Sequence, residues 1–334
     1  MNDSAVTPTG CAVRAVSFDF EHKIEQPVAF ESIREVMAGG RYVWIDVDVH
    51  DSELARSAIA ALPLAETFID AALTHDPMCT LSRADSHVHV VVAGASTRAG
   101  KLHLDRVDIV LGERCLITVH KGRIPFLDEV NRQYKQDFIR FAKSPGFLVY
   151  ELWDCLVESY LAVQKQFEER VEAVQAEIIR EGSEELFLRV SEVGSDLLHF
   201  RKVLLPVRWV LHELATRKSP FIPDSTQPFL ANLVGNVEHV LQDVLVDRDI
   251  LSESLNLYLS SAAHRTNQTM KYLTLLSAVF LPLAFVVGFF GQNFSNFPGM
   301  DTWVQSDALM WAMIFICVLT PAAMITLFKL KRWL

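Results

Sequence analysis

Phe289-Phe290-Gly291-Gln292-Asn293-Phe294 decides how this chain is read, because it ends one long apolar run and opens a short loop to another. Neither the run before it, Tyr272–Phe290, nor the run beyond it, Ala308–Phe328, contains a charged residue. At about 1.5 Å per residue, each is long enough to cross a hydrocarbon core of about 30 Å. Both are therefore predicted transmembrane helices, and the turn between them begins with a carboxamide. A polar, uncharged turn at the mouth of a two-span hairpin points to ion passage.

Outward from the hairpin, charge is distributed very unevenly. All but three of the 31 Lys+Arg and all but two of the 41 Asp+Glu precede Tyr272, so the polar part is acidic within a chain of net charge −10. Phosphate binding needs clustered cations, so nucleic acid is excluded as a partner. An acidic surface suits a protein that gathers and passes cations. Arg265 and Lys271 precede the first span; Lys329, Lys331 and Arg332 follow the second; the loop from Asn293 to Asp307 has neither Lys nor Arg. Basic residues mark the cytoplasmic side, which predicts cytoplasmic termini, an outside loop and a multi-pass protein of the inner (plasma) membrane. Met1–Gly10 lacks a basic n-region and an apolar h-region, so no cleavable signal is expected. Cys11, Cys79, Cys115, Cys155 and Cys317 form no CxxC pair, which argues against disulfides and a zinc knuckle.

The first third reads as mixed α/β. Strands are predicted at Ala12–Phe18, Tyr42–Val49, His87–Ala93, Arg106–Leu111 and Cys115–His120, with helical segments near Ile33–Met37, Ser52–Leu62 and Ala65–Leu73. From Phe147 the period becomes helical. Leu148, Leu152, Leu156, Tyr160, Val163, Phe167, Val171, Val174 and Ile178 keep to one face as far as Arg180. Glu181-Gly182-Ser183 breaks the helix, with Ser183 as the next N-cap, and a second helix runs to about Arg217. Pro220, Pro223 and Pro228 make the following loop. From about Phe229 the pattern continues to Gly291, a helix of about 95 Å that needs neighbours along its length. The expected fold is an α+β membrane protein. Its parts are an α/β domain over residues 1–145, a helical hairpin over 146–225, a stalk helix over 226–271, spans at 272–292 and 308–328, a loop at 293–307 and a basic tail at 329–334.

The long helix carries two surfaces. Asn267, Thr274, Leu281 and Gly288 step by seven, and Met270, Ser277, Ala284 and Gly291 step by seven between them. This stripe is small, polar or unbranched, and it runs into Asn293. Bulky residues such as Leu275, Leu276, Val279, Phe280, Leu283, Phe285 and Val286 fill the other side. A small-polar stripe suits either a pore lined by identical helices or close helix–helix packing. The polar members favour partners or water at membrane depth.

These residues resemble the CorA-type, two-span GxN metal-ion channels. The resemblance rests on Tyr258-Leu259-Ser260-Ser261, Thr266-Asn267-Gln268-Thr269-Met270-Lys271, a span containing Pro282, Phe290-Gly291-Gln292-Asn293-Phe294, and the tail Phe328-Lys329-Leu330-Lys331-Arg332-Trp333-Leu334. Upstream, Trp44-Ile45-Asp46-Val47 and Gly112–His120 are similar to the family's cytoplasmic strands. The resemblance implies a homopentameric funnel in the lipid bilayer, with the first spans lining a central pore. Gly291, Gln292 and Asn293 would form the selectivity filter, where Asn293 meets a hydrated metal ion. Asn267, Met270, Leu281, Ala284 and Gly288 match pore positions, with Met270 and Leu281 as apolar constrictions. No cofactor is implied beyond the transported divalent cation.

Three departures bear on the ion. Gln292 replaces the Met usual in the middle of the filter. The loop Phe294–Gly299 is neutral, and its Pro298-Gly299 looks more like the ZntB-type zinc branch. Asn256 stands where the magnesium branch has a regulatory acid, although Asp243, Asp247, Asp249 and Glu253 lie nearby and form either a regulatory ion site or a solvated face. Magnesium, with cobalt or nickel, is the expected cargo, and zinc is the alternative. A membrane-anchored scaffold or signalling protein is the remoter reading. An enzyme is not expected, since there is no P-loop, HExxH or GxSxG. His87 and His89 share one strand face, as do Asp46, Asp48 and His50; solvated faces are expected there rather than metal sites. His264 stands one turn and a half before Met270 and is a candidate sensor of the inner mouth. Asn293-Phe294-Ser295 is formally a glycosylation sequon, but its place at the filter argues against modification.

Overall fold

The computed structural model describes residues 11–51, 55–56, 59–63, 68–72, 79–180, 184–291 and 307–331. The chain forms two compact units, Met1–Leu255 and Asn256–Leu334.

The first unit is built on a seven-stranded sheet. Its strands are β1 (Cys11–Asp19), β2 (Ile24–Pro27), β3 (Tyr42–Val49), β4 (Thr80–Arg83), β5 (His87–Arg98), β6 (Lys101–Gly112) and β7 (Cys115–His120). They lie in the order β2-β1-β3-β7-β6-β5-β4, and β3–β7 is the one parallel pair. Alternation in β3 explains why both faces are covered. Tyr42 and Trp44 enter the larger core with the long helices, while Val43, Ile45, Val47 and Val49 enter a smaller core with Ile33, Ile59 and Phe68. The short helix α1 (Ile33–Ala38) belongs to that second side, and α2 (Ile69–Ala72) is a single turn.

All five predicted strands are present. β1 is one residue longer at each end, and two are much longer, because β5 and β6 form a hairpin that runs on through Ser96, Thr97, His103 and Asp105. Its turn puts Ala99 and Gly100 at φ 50 and 76, the left-handed pair such tight hairpins need. The edge strands β2 and β4 have four residues each and carry no periodic signal. The sequence also assigns no element to the stretch after His120, where α3 (Pro125–Phe141) forms with Pro at its start. Phe126, Leu127, Val130, Tyr134 and Phe138 of α3 are buried on the sheet. Gly94 of β5 is what admits it: a Cβ there would stand 2.7 Å from the Phe126 ring.

The helical hairpin consists of α4 (Gly146–Arg180) and α5 (Glu184–Thr216). The nine apolar positions predicted for one face of α4 are buried, except the half-buried Ile178. Tyr160 anchors α4 to the sheet by donating its hydroxyl to Ala93 O at 2.6 Å. The break at Glu181–Ser183, with its N-cap, lies outside the described residues. The sixth helix, α6 (Gln227–Phe290), is 64 residues long. Pro228 belongs to its first turn and not to the loop, since Pro loses nothing where the N–H has no helical partner. The seventh, α7 (Asp307–Leu330), carries the second apolar run.

Candidate ion pathway

The candidate pathway residues lie in the second unit, on the part of α6 that follows Leu255, and the unit also holds α7. Both helices are long and apolar enough to cross a membrane. On α6, Leu275 is buried, and Ala278, Val279, Leu283 and Val286 are half-buried. On α7, Phe328 is buried and Met313, Cys317, Thr320 and Met324 are half-buried. Each set recurs at three and four residues, so each is one helical stripe. They are the shielded surfaces of the two long helices in this unit.

Asn267, Met270, Thr274, Ser277, Leu281, Ala284 and Gly288 are all exposed, Leu281 at 75%. Between Thr274 and Gly288, at 100° per residue, this stripe is centred about 160° around α6 from the shielded one. The bulky side thus divides, with Leu275, Val279, Leu283 and Val286 turned inward while Leu276, Phe280 and Phe285 stay exposed. The Thr274 hydroxyl donates to Met270 O at 2.7 Å, leaving its oxygen lone pairs to face outward. At the end of α6 the Gly291 N–H donates to Val287 O at 2.8 Å. A Cβ on Gly291 would lie 2.9 Å from that same oxygen, so the closing turn has room only for glycine. Gln292 lies outside the described residues, as does the predicted loop 293–307, Asn293 included, up to Ser306; Asp307, its last residue, is instead the first residue of α7. His264 is exposed, with its Nε2 3.0 Å from Gln268 Nε2.

The acids proposed for a regulatory ion do not all point one way. Asp247 is buried and accepts a hydrogen bond from Gln164 Nε2 of α4 at 2.8 Å. Burial pushes its carboxyl up, against the Gln164 hydrogen bond, and the nearby Glu168, Asp243 and Glu172 push it further. Asp243 is at the surface with His239 Nδ1 at 2.7 Å, while Asp249 and Glu253 are exposed. Asn256 is exposed and is the first residue of the second unit.

The histidines and aspartates of the sheet need a correction. His87 and His89 are buried, not on a solvated face, because β5 is covered on both sides. His89 Nε2 lies 2.8 Å from Asp108 Oδ1, and Arg106 grips the same carboxylate at 2.7 and 2.9 Å. Asp46 and Asp48 do share a face, but they are held mainly from β7 and the turn after it: Asp46 accepts from the Thr118 hydroxyl and lies 3.4 Å from His120, while Asp48 accepts from the Gly122 N–H at 2.6 Å, with His50 at 3.7 Å and His120 at 3.9 Å. Burial disfavours charge on His120, yet the two carboxylates and the Gly122 carbonyl outweigh it and hold the imidazole above its usual value. Only the parallel β3–β7 register could have revealed that grouping, since Asp48 pairs with His120 across it. Among the described residues no group of three or more His, Cys, Asp or Glu could hold a metal ion.

Comparison with known proteins agrees with this architecture. The cobalt/magnesium transport protein CorA of Thermotoga maritima is 28% identical over 236 residues, covering 70% of this chain and 66% of that protein, just under two thirds of its length. The zinc transport protein ZntB of Klebsiella pneumoniae is 21% identical over 282 residues, covering 82% of this chain and 84% of that one. The complete structure of the CorA magnesium transporter from Methanocaldococcus jannaschii superposes with a TM-score of 0.80 at 18% identity, over 96% of this chain and 98% of that one. The family profile described as CorA-like Mg2+ transporter protein matches residues 39–332, and the chain belongs to that family.

Proposed function

We propose that this chain is a passive divalent-cation channel, with magnesium as its principal ion and cobalt or nickel as further cargo. The observation that carries the reading is the stripe on α6. Its small and polar members lie nearly opposite the face shielded within the chain, so other copies of α6 or water must meet them. Five copies around an axis would turn that stripe inward and leave Phe280 and Phe285 for lipid or neighbouring helices. The chain would sit in the inner membrane with both termini cytoplasmic, as its basic residues direct.

In this reading Gly291-Gln292-Asn293 is the selectivity filter, and Asn293 presents a neutral carbonyl oxygen to the incoming ion. Magnesium gives up water reluctantly, so a ring of neutral acceptors can hold it through its waters. Carboxylates would hold it too tightly, and conduction needs sites that release. Two charges crossing 100 mV, inside negative, gain roughly 4.6 kcal/mol, which drives entry without a nucleotide site. Met270 and Leu281 would be the narrow apolar rings. A regulatory ion on the stalk would use the exposed Asp249 and Glu253, with Asp243 shared with His239, because Asp247 is turned toward Gln164.

Zinc is the second reading. It is favoured by the neutral loop with Pro298-Gly299, by Gln292 in the filter, and by a relative that is named a zinc transport protein. Ion uptake into liposomes holding the purified protein separates the two. Magnesium flux supports the first reading; zinc flux with a pH dependence and no magnesium flux supports the second; no flux of either ion sinks both. Asn293→Ala should abolish selective flux with the oligomer intact, and unchanged transport would refute the filter assignment.

A further inference from the structure

Strand β7 ends at His120 and α3 starts at Pro125, so the segment 121–124 sets how α3 meets the sheet. Its fixed point is the peptide around Gly122, whose φ is 73. The Gly122 N–H donates to Asp48 Oδ1 at 2.6 Å, and the Gly122 carbonyl lies 2.7 Å from His120 Nδ1. One glycine is therefore held at both of its backbone groups by the β3–β7 pair, while Lys121 and Arg123 beside it are exposed.

The hydrogens on His120 follow from the chemistry of its partners. A carbonyl only accepts, so Nδ1 must carry a hydrogen to bond Gly122 O. Across the ring, Nε2 stands 3.4 Å from Asp46 Oδ1. That oxygen is already an acceptor: it takes the Thr118 hydroxyl, and Trp44 Nε1 donates in turn to the Thr118 oxygen at 3.2 Å. A neutral ring would aim one nitrogen lone pair at either the carboxylate or the carbonyl. Only the imidazolium, with a hydrogen on each nitrogen, suits both. The side chain is 9% exposed, so water is poorly placed to stand in for a lost partner.

The charges that face the ring are few. From β3 come Asp46 and Asp48, with His50 just beyond, 3.7 Å from Asp48. Arg14 of β1 pairs in register with Asp46. On β6, Val107 stands opposite His120, and Asp105 of the same face is held by Arg98 and His103. In the turn and on α3, Arg123 is paired with Asp128.

We propose that His120 is a proton-operated latch: charged, it clamps the Gly122 peptide and with it the start of α3 to the sheet, and neutral, it lets that turn open. The fold holds the imidazole above its ordinary 6.5, mainly through Asp46 and Asp48 working against burial. The clamp is thus complete below 6.5 and is lost as pH rises through the higher folded value. It lies wholly within the first unit and does not rest on the pore reading.

Hydrogen–deuterium exchange of the full-length protein in lipid nanodiscs tests the latch, read by mass spectrometry on peptides spanning 119–128 and corrected for the intrinsic effect of pH. Between about pH 6 and about pH 9, protection should fall about tenfold or more in the parent, as loss of a hydrogen bond from a charged donor implies. His120→Gln should remove that pH dependence. His199→Gln, an exposed histidine on α5, should leave the transition in place. Asp46→Asn should move the midpoint to lower pH, a shift that a merely structural role for His120 does not produce, and it decides the matter if His120→Gln fails to fold. A flat profile in the parent, a transition that survives in His120→Gln, or an unmoved midpoint in Asp46→Asn would overturn the proposal.

Discussion

Glu151 is a buried carboxyl on α4 with acids for neighbours, and its own contribution to stability falls as pH rises. The residue is 6% exposed. Burial, with Asp137 on α3 and Asp154 and Glu158 on its own helix, pushes its pKa from the ordinary 4.5 to about 7. Below pH 4.5 the group is protonated both folded and unfolded, so it contributes no difference. Between 4.5 and 7 the unfolded chain releases the proton while the folded chain keeps it, and stability declines throughout that window. Above 7 both forms are ionised and the full deficit persists. Each tenfold change in proton affinity is about 1.4 kcal/mol, which makes the deficit about 3 kcal/mol. Glu151→Gln keeps the shape and removes the ionisation. The variant should match the parent near pH 4.5 and exceed it by about 3 kcal/mol at pH 8, roughly 5 °C in Tm for a chain of this size. Thermal unfolding in detergent, with parent and variant scanned at one rate across pH 4.5 to 8, reads the difference directly. Equal Tm differences at both ends, or a less stable variant at pH 8, would refute the placement of Glu151 among those acids.

Other consequences follow from particular contacts. In a Cys317→Ser background, Ser277→Cys should react with a charged thiol reagent and lose flux, whereas Leu275→Cys on the shielded stripe should stay unlabelled; the reverse pattern would remove the pore face from α6. Gly94→Ala forces a methyl into the Phe126 ring and should cost about 1–3 kcal/mol, seen as a lower Tm with flux per folded protein unchanged. Tyr160→Phe strips the donor from the buried Ala93 carbonyl and should cost about 1–3 kcal/mol. A Tyr160→Phe protein as stable as the parent would mean that water replaces the hydroxyl.

The helical part of this chain is legible because its signals are local. The buried face of α4 is written in Leu148 to Val174 at three- and four-residue steps, and a helix brings such positions together whatever the rest of the chain does. Harder to see is α3, because the Gly residue that makes room for Phe126 is thirty-two residues away on β5. The strand ends Gly94–Arg98 and Lys101–Asp105 look like loop, since polar residues there are held by the partner strand rather than by burial. His89 is misread for a related reason. Alternation shows which residues share a face, but it does not show whether that face is covered.

By itself, the sequence determined the two apolar spans, the small-polar stripe, the acidic soluble part and the family, because length, periodicity and charge are properties of neighbouring residues. Only the tertiary structure decided which side of α6 is shielded, that Asp247 turns to Gln164, and that His120 rather than His50 joins Asp46. Those outcomes depend on which distant elements meet, and burial and charge pairing act through space, without regard to separation along the chain.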